Sequence, residues 1–319
     1  MRMISCTVSP EFDGCTVQEV LRGQLKVSVR CLRRAKRRAE GIAVDGKGAW
    51  TVNRVHSGQT VSVAIDDGLR PGQTGVDPQQ GSVAVVYRDE DVLIVDKPAG
   101  EVMYPGPGHS EGTLLNHVMQ YFLDNGCDGY PHAVNRIDGT TTGLVVFATS
   151  SYVKDRLQDQ LHTNAFQRDY LAYCVGELPD LCGVVDAPIA RVEQKRIGFA
   201  VDPAGKPAIT RYRVLGAFDD PAGIGRISVV RLRLDTGRTH QIRLHMAYIG
   251  HPLLGDAYYG TRSDSIGRAA LHSHHLALDH PMTGERLECM APLPSDMARL
   301  LPDHIRARIH GQQSLRGNR

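Results

Sequence analysis

Seventeen residues in the middle of the chain, 133–149 (AVNRIDGTTTGLVVFAT), limit the fold more than any other stretch. Residues 133–137 and 144–148 are apolar runs of strand-forming residues, and the GTTTG segment between them is small, flexible and rich in hydroxyls. Asp138 stands at the head of that turn. A carboxylate on a loop held by a rigid sheet is a common way to present a catalytic group, but an Asp beside Gly and Thr is more often a turn cap. The stretch alone leaves both readings open.

Its wording narrows the choice. NRIDGTTTGLVVFA resembles the HRLD-x-x-T-S-G-L-hydrophobic-A signature of the RluA-type pseudouridine synthases, whose Asp is the catalytic nucleophile. Asp138 falls on that Asp, and Arg136, Ile137, Thr141, Gly143 and Leu144 also match. Asn135 replaces the usual His and Thr142 the usual Ser, which alters the hydrogen bonds available around the loop.

A chain of 319 residues exceeds most single cores and implies about two domains. No apolar run approaches the ~20 residues that span a bilayer, and the first residues lack a signal-peptide core, so a cytoplasmic protein away from membranes is expected. Seven cysteines are scattered without a C-x-x-C pair. They read as reduced thiols, not as a disulfide framework or a zinc site.

The net charge of +2 says little, but its distribution says more. Residues 22–54 carry ten basic side chains against two acidic ones, the footprint of an anionic partner. Thr16 and Glu19 form a capping box that opens a first helix through Leu21 and Leu25. Ser28 caps a second, with Cys31, Leu32, Ala35 and Ala39 on its apolar stripe and Gly41 as its stop. The same helix turns Arg30, Arg33, Arg34, Arg37 and Arg38 towards solvent. An Asp45-Gly46 turn and β segments up to Ile65 follow as a small hairpin sheet. This segment resembles the α-L RNA-binding module of ribosomal protein S-four, with Arg33, Arg34, Arg37 and Arg38 as candidate RNA contacts.

Residues 67–82 are rich in Gly, Pro, Gln and Asp without apolar periodicity and read as a linker. Strands at 83–87 and 92–96 then lead into a K-P-x-G phrase similar to the family's opening, with Tyr104 where many members have His. Thr113 caps a helix that stops near Gly126, and another starts at Ser150 or Ser151. Arg168-Asp-Tyr170-Leu-Ala172 resembles the family's K-x-Y-x-A motif, which implies that Tyr170 lies over the target base. GKPAITRYRVL matches a further family strand and offers Lys206 as a phosphate contact.

The second strong resemblance is LDTGRTHQIRLH, residues 234–245, followed by GHPLLGDAYYG. Thr239 is expected to cap a helix with Ile242, Met246 and Ile249 inward and Gly250 as its stop. The family match implies that Arg243 pairs with Asp138, and Arg238, His240 and Gln241 join Arg136 as candidate substrate contacts. His240, His245, His251, His272, His274 and His275 do not set three ligands on one helical face, so no metal is expected. Beyond Leu301 the tail is basic and polar, and fraying is expected.

The resemblance implies an α+β pseudouridine synthase fold, a mixed, mainly antiparallel sheet around a central cleft, behind a small N-terminal RNA-binding domain. The expected division is 1–66, linker 67–82, catalytic domain 83–301 and tail 302–319. The implied reaction breaks the bond from the ribose anomeric carbon to nitrogen and remakes it to carbon 5, with no net hydrolysis or redox, so no cofactor is expected. An aspartate carboxylate can attack that carbon or act as a base at the sugar. Arg243 would keep it charged and aimed. Tyr170 would cover the uracil and help remove the proton from carbon 5, and the target nucleotide would be flipped out of its helix. The expected substrate is large-subunit ribosomal RNA, with tRNA as the alternative, acted on by a monomer. Two rivals remain: a binding-only relative in ribosome assembly, suggested by Asn135, and a nucleoside hydrolase, which needs a second acid near Asp138.

Overall fold

The computed structural model describes every residue except 74, 162, 193–197 and 312–319. At the N-terminus, β1 (Met3–Thr7), α1 (Val17–Gly23), α2 (Val29–Ala35), β2 (Ile42–Val44), β3 (Lys47–Gly48) and β4 (Thr60–Ala64) build two helices on an antiparallel sheet ordered β1-β4-β2-β3. The Thr16–Glu19 capping box forms, and Ser28 Oγ accepts from the Cys31 N–H at 3.3 Å. Asp45 and Gly46 both take positive φ, as a tight hairpin turn demands.

Helix α2 is shorter than expected. It ends at Ala35, because the Arg37 and Arg38 N–H groups fall back to carbonyls three residues earlier and Glu40 turns left-handed. Gly41 then passes so close to the helix end that a Cβ there would lie 2.2 Å from the Ala35 carbonyl oxygen. Ala39 is exposed.

Two of the arginines expected to face solvent are also drawn inward. Arg34 pairs at 2.7 Å with Asp67, whose carboxylate is wholly buried and also accepts from the Ser151 N–H, the Ser151 hydroxyl and His132. Arg38 pairs with Asp66 at 2.6 Å. A buried carboxylate persists only when its charge and lone pairs are met, and Asp67 meets that condition from three elements at once. The start of the expected linker is therefore an anchor, and Arg30, Arg33 and Arg37 keep the exposed face.

The remaining elements are β5 (Ala84–Arg88), β6 (Val92–Lys97), α3 (Leu114–Asp124), β7 (His132–Ala133), β8 (Thr142–Ala148), α4 (Ser151–Gln160), β9 (Gln167–Val175), β10 (Cys182–Asp186), β11 (Ile189–Arg191), β12 (Phe199–Val201), β13 (Ile209–Asp219), β14 (Arg226–Leu234), α5 (Gln241–Tyr248), β15 (Leu271–Asp279), β16 (Arg286–Met290), α6 (Ser295–Ala298) and α7 (Asp303–Gly311). The large sheet runs β10-β13-β14-β9-β15-β8-β6-β5, with β16 beside β15 and β7 beside β8. Among the described pairings in it, β8 with β15 is parallel and the others are antiparallel. No described helix is long and apolar enough to cross a membrane.

Strand β8 is buried along its whole length because both faces of the sheet are covered there. Val145 and Phe147 pack with Met119 and Phe122 of α3 and Met246 of α5. Leu144 and Val146 join Val153 and Leu157 of α4 in a cluster that continues into Val20, Leu21 and Leu32 of the N-terminal helices. Tyr152 of α4 donates to the Leu25 carbonyl at 2.8 Å across the same seam.

The run before Asp138 is not the strand its composition suggests. β7 covers only His132 and Ala133, and beyond it the Asn135 side chain accepts from the Val146 N–H at 2.8 Å in place of a backbone partner. Its amide nitrogen faces the Leu144 carbonyl at 3.4 Å. The chain thus peels away from β8 and presents Asp138 on a turn closed by Thr141 N–H to Asp138 C=O at 3.0 Å.

Gly143 makes the parallel pairing possible. Its φ is 107°, and a Cβ there would lie 2.2 Å from the Ser273 carbonyl oxygen of β15. Gly143→Ala is expected to cost about 3 kcal/mol or more, from the strained φ and the backbone collision together. A urea melt with an unchanged midpoint would contradict this.

The tail does not fray where expected. Helix α7 buries Ile305 and Ile309 with Leu215, Phe218 and Met297, and Arg308 donates to the Leu215 carbonyl at 3.1 Å. Only residues 312–319 of the expected basic tail lie outside the described residues.

Candidate active site

Where the Asp138 turn meets the N-terminus of α5, a small cavity, open at its mouth, lies over β9. Arg136, Asp138, Tyr170, Arg238, His240, Gln241 and Arg243 all line it, although they come from three separate stretches of sequence. Lys206 does not line it and is exposed in the turn before β13. Arg33, Arg34, Arg37 and Arg38 belong to the N-terminal segment and do not line it either.

Arg243 is buried and held in two directions. Its Nε and Nη2 donate to both oxygens of Asp256 at 2.8 and 2.7 Å, while Nη1 reaches Asp138 Oδ2 at 3.4 Å. Burial works against the guanidinium charge, but the hydrogen bonds and charge of Asp256, with Asp138 behind them, raise its pKa overall. Asp256 is itself wholly buried and also accepts from the Tyr258 and Tyr259 N–H groups. The tight partner of Arg243 is therefore Asp256, and Asp138 receives one longer contact that leaves its carboxylate available to the cavity.

Asp256 owes its place to Gly255. With φ at 73°, that residue runs against the next segment so closely that a Cβ would meet the Arg268 carbonyl oxygen at 2.3 Å. Tyr258 and Tyr259 then set their rings 5.3 Å from the Arg243 guanidinium carbon, a cation–π arrangement.

The N-terminus of α5 is built differently from the sequence expectation. Its cap is His240, left-handed at φ 55°, and not Thr239. Gln241 shapes the preceding loop instead: Oε1 accepts from the Arg238 N–H and the Thr236 hydroxyl at 2.9 Å, and Nε2 donates to the Ile209 carbonyl and Thr210 Oγ1 at 3.0 Å. Both lone pairs and both protons of the amide are used, so the expected substrate contact from Gln241 is withdrawn. His240 faces Asp138 with Nε2 at 3.9 Å and has Nδ1 at 2.9 Å from the Tyr259 hydroxyl. Burial lowers the His240 pKa, with Asp138 opposing, while burial raises that of Tyr259 to about 12. Both are neutral near pH 7; when the phenol donates to Nδ1, the remaining imidazole proton sits on Nε2, facing Asp138.

Tyr170 is buried on the strand side of the cavity. Burial raises its pKa, so its resting state is the protonated phenol, a flat apolar wall with one polar tip. Asn135, whose change from His prompted the binding-only reading, does not line the cavity.

Asp256, Tyr259 and Lys97 are site residues that sequence reasoning passed over. The first two lie inside the GDAYYG phrase, where an Asp directly after a Gly was the available signal. Lys97 has a wholly buried side chain whose pKa burial lowers to about 8, with Glu101 opposing. Its Nζ donates to the carbonyls of Pro98, Glu101 and Gly139 at 2.7, 2.8 and 3.3 Å, which ties the residue after Asp138 to the K-P-x-G loop.

The histidines of the later motifs have protein partners: His245 meets Thr210 and Ala187, His251 meets Val175, and His272 meets Thr142. Asp89, Asp91 and His280 bring ligand-type atoms together elsewhere, but Arg2 already grips Asp91 with two bonds. His280 Nδ1 faces the Met282 and Thr283 N–H groups as an acceptor. His280 Nε2 lies 2.9 Å from Asp89, whose carboxylate also accepts from the Tyr87 hydroxyl and the Asp91 and Val92 N–H groups, so these acids already have protein partners.

The family model described as RNA pseudouridylate synthase matches residues 91–248 of this chain. The Bacillus subtilis (strain 168) protein named as an uncharacterized RNA pseudouridine synthase, YlyB, is 39% identical over 264 residues, covering 82% of this chain and 84% of that one. Ribosomal large subunit pseudouridine synthase D of Escherichia coli (strain K12) is 40% identical over 240 residues, covering 70% and 71%. Among solved structures, human RNA pseudouridylate synthase domain containing 1 matches with a TM-score of 0.58 at 25% identity, over 75% of this chain and 98% of that one.

Proposed function

The chain belongs to the RluA-type RNA pseudouridine synthase family and is an isomerase acting on RNA, and from that premise we propose that it converts a uridine of large-subunit ribosomal RNA to pseudouridine with Asp138 as its catalytic carboxylate. The single observation that carries the catalytic assignment is the Asp256–Arg243–Asp138 arrangement: a buried guanidinium, neutralised by one carboxylate, aims a spare N–H at another that faces the cavity. Asp138 acts at the sugar, as nucleophile at the anomeric carbon or as base, and the freed uracil stays in the pocket and re-bonds through carbon 5. Tyr170 covers one face of the ring. Its raised pKa favours that role over proton removal in the resting enzyme.

The ribosomal substrate is supported by the names of the synthase D relatives. Isomerisation is favoured over nucleoside hydrolysis because Asp138 is the one carboxylate among the described residues that line the cavity, and Asp256 is committed to Arg243. Hydrolysis by a glycosidase route uses two such groups. The test is to incubate the protein with large-subunit ribosomal RNA labelled with tritium at uridine carbon 5. Tritium release without free uracil is expected; free uracil as the main product would reject the proposal.

Residues 1–66 serve in this reading as an RNA-binding module of the S-four type, docked on the catalytic portion through Asp67, which joins Arg34 to Ser151 and His132. Arg33 and Arg37 are exposed and available to phosphates, whereas Arg34 and Arg38 are held in ion pairs. Arg33→Ala with Arg37→Ala is expected to weaken RNA binding and reduce the slope of log affinity against log salt by about 2. An unchanged slope would remove these two residues from the RNA interface.

A further inference from the structure

Arg268, three residues before β15, has a side chain only 8% exposed and lines no part of the cavity. Its Nε and Nη2 donate to the two oxygens of Asp296 on α6 at 2.7 and 2.9 Å. That bidentate pair would be enough to hold α6 against the sheet. Nη1, however, crosses to the catalytic turn and donates to the Thr140 carbonyl at 3.1 Å, while also facing the Ala269 and Leu271 carbonyls at 3.1 Å.

We propose that Arg268 is a positioning residue for the reaction, fixing the turn that carries Asp138 so that its carboxylate meets both Arg243 and the substrate sugar. The inference rests on the catalytic role proposed for Asp138. The turn has three carbonyls, and each is held by a different part of the chain. Asp138 C=O takes the Thr141 N–H, Gly139 C=O takes the Gly100 N–H and Lys97, and Thr140 C=O takes Arg268. Removing Arg268 frees the last of these on the side nearest β15.

The same segment also sets the position of Arg243. The backbone of Ile266 and Arg268 is the wall against which Gly255 packs, and Gly255 precedes the Asp256 that holds the Arg243 guanidinium. Arg268 therefore joins the two halves of the site: its backbone abuts the loop that carries the arginine's partner, and its side chain grips the turn that carries the carboxylate. A misplacement of about 1 Å between reacting groups is worth on the order of 10² in rate.

The test compares single-turnover pseudouridine formation and RNA affinity in Arg268→Gln, Arg268→Lys and Asp296→Asn, with Asp138→Asn alongside. Arg268→Gln is expected to be about 100-fold slower and Arg268→Lys about tenfold slower, both with RNA affinity within about twofold of wild type. Lysine can serve the Asp296 carboxylate or the carbonyls, but not all of them. Asp296→Asn leaves Nη1 on the turn and should stay within about threefold of the wild-type rate, although it lowers the melting temperature. A merely structural role would make rates follow melting temperature across the three variants. The proposal is overturned if folded Arg268→Gln, or Arg268→Lys where the glutamine variant does not fold, turns over at the wild-type rate. It is equally overturned if Asp296→Asn is as slow as the Arg268 variants. Activity retained by Asp138→Asn would instead reject the underlying assignment of the carboxylate.

Discussion

Asp138→Asn is expected to lower the single-turnover rate of pseudouridine formation by on the order of 10³–10⁶-fold, the range seen when a nucleophile acting with a fixed partner is removed. The amide has nearly the shape of the carboxylate, and the turn is closed by the backbone of residue 138, so the geometry should persist. Arg243 keeps its bidentate pair with Asp256 and is not left as an unmatched buried charge. RNA affinity should therefore change by no more than about twofold, since a change confined to the chemical step leaves ground-state binding intact. Tritium release from labelled RNA and a filter-binding isotherm measure the two quantities separately. A proportionate loss of both would mean that Asp138 binds RNA and does not act in the chemistry.

Arg243→Met should be damaging in two separable ways. Removing the guanidinium strands the wholly buried Asp256 carboxylate, a loss that in other buried pairs costs about 3–5 kcal/mol. It also removes the N–H that faces Asp138, and loss of a preorganised donor in a dry site costs about 10²–10³ in rate. Combining Arg243→Met with Asp256→Asn removes the stranded charge and should restore much of the stability. It should restore none of the activity. Chemical denaturation and single-turnover kinetics on the single and double variants check this. A double variant that regained activity together with stability would show that Arg243 matters only as the partner of Asp256.

The contrast between these variants follows from what local sequence can and cannot encode. Thr16 with Glu19, Thr113 and Ser150 each cap a helix beginning at the next residue, because the bond that defines a cap spans three residues and is written in them. The LVVFA run is legible as a strand for a similar reason: both of its faces demand apolar side chains. Asp138, Tyr170 and Arg243 were found through family phrases, and the fold brings them to one cavity although 105 residues separate Asp138 from Arg243.

Long-range polar pairing was not legible. Arg34 and Arg38 look like two more members of a solvated basic helix until Asp66 and Asp67, about thirty residues later in the chain, fold back beneath them. Gln241 looks available to substrate until Ile209, Thr210, Thr236 and Arg238 consume its amide. Helix α7 was passed over because its apolar stripe is only Ile305 and Ile309, too sparse to stand out before the groove that receives it is known. Thr239 satisfies the composition of a cap, but the left-handed His240 takes that position and points its ring at Asp138. Local backbone strain at such a position is a common mark of a functional site, and a residue list does not reveal it.

Comparing pseudouridine maps of large-subunit ribosomal RNA from cells lacking this protein, then supplied with the wild type or Asp138→Asn, tests the central claim most directly. One or more modified positions should vanish without the protein, return with the wild type and stay absent with Asp138→Asn. Their return with the asparagine variant at wild-type level would contradict the account.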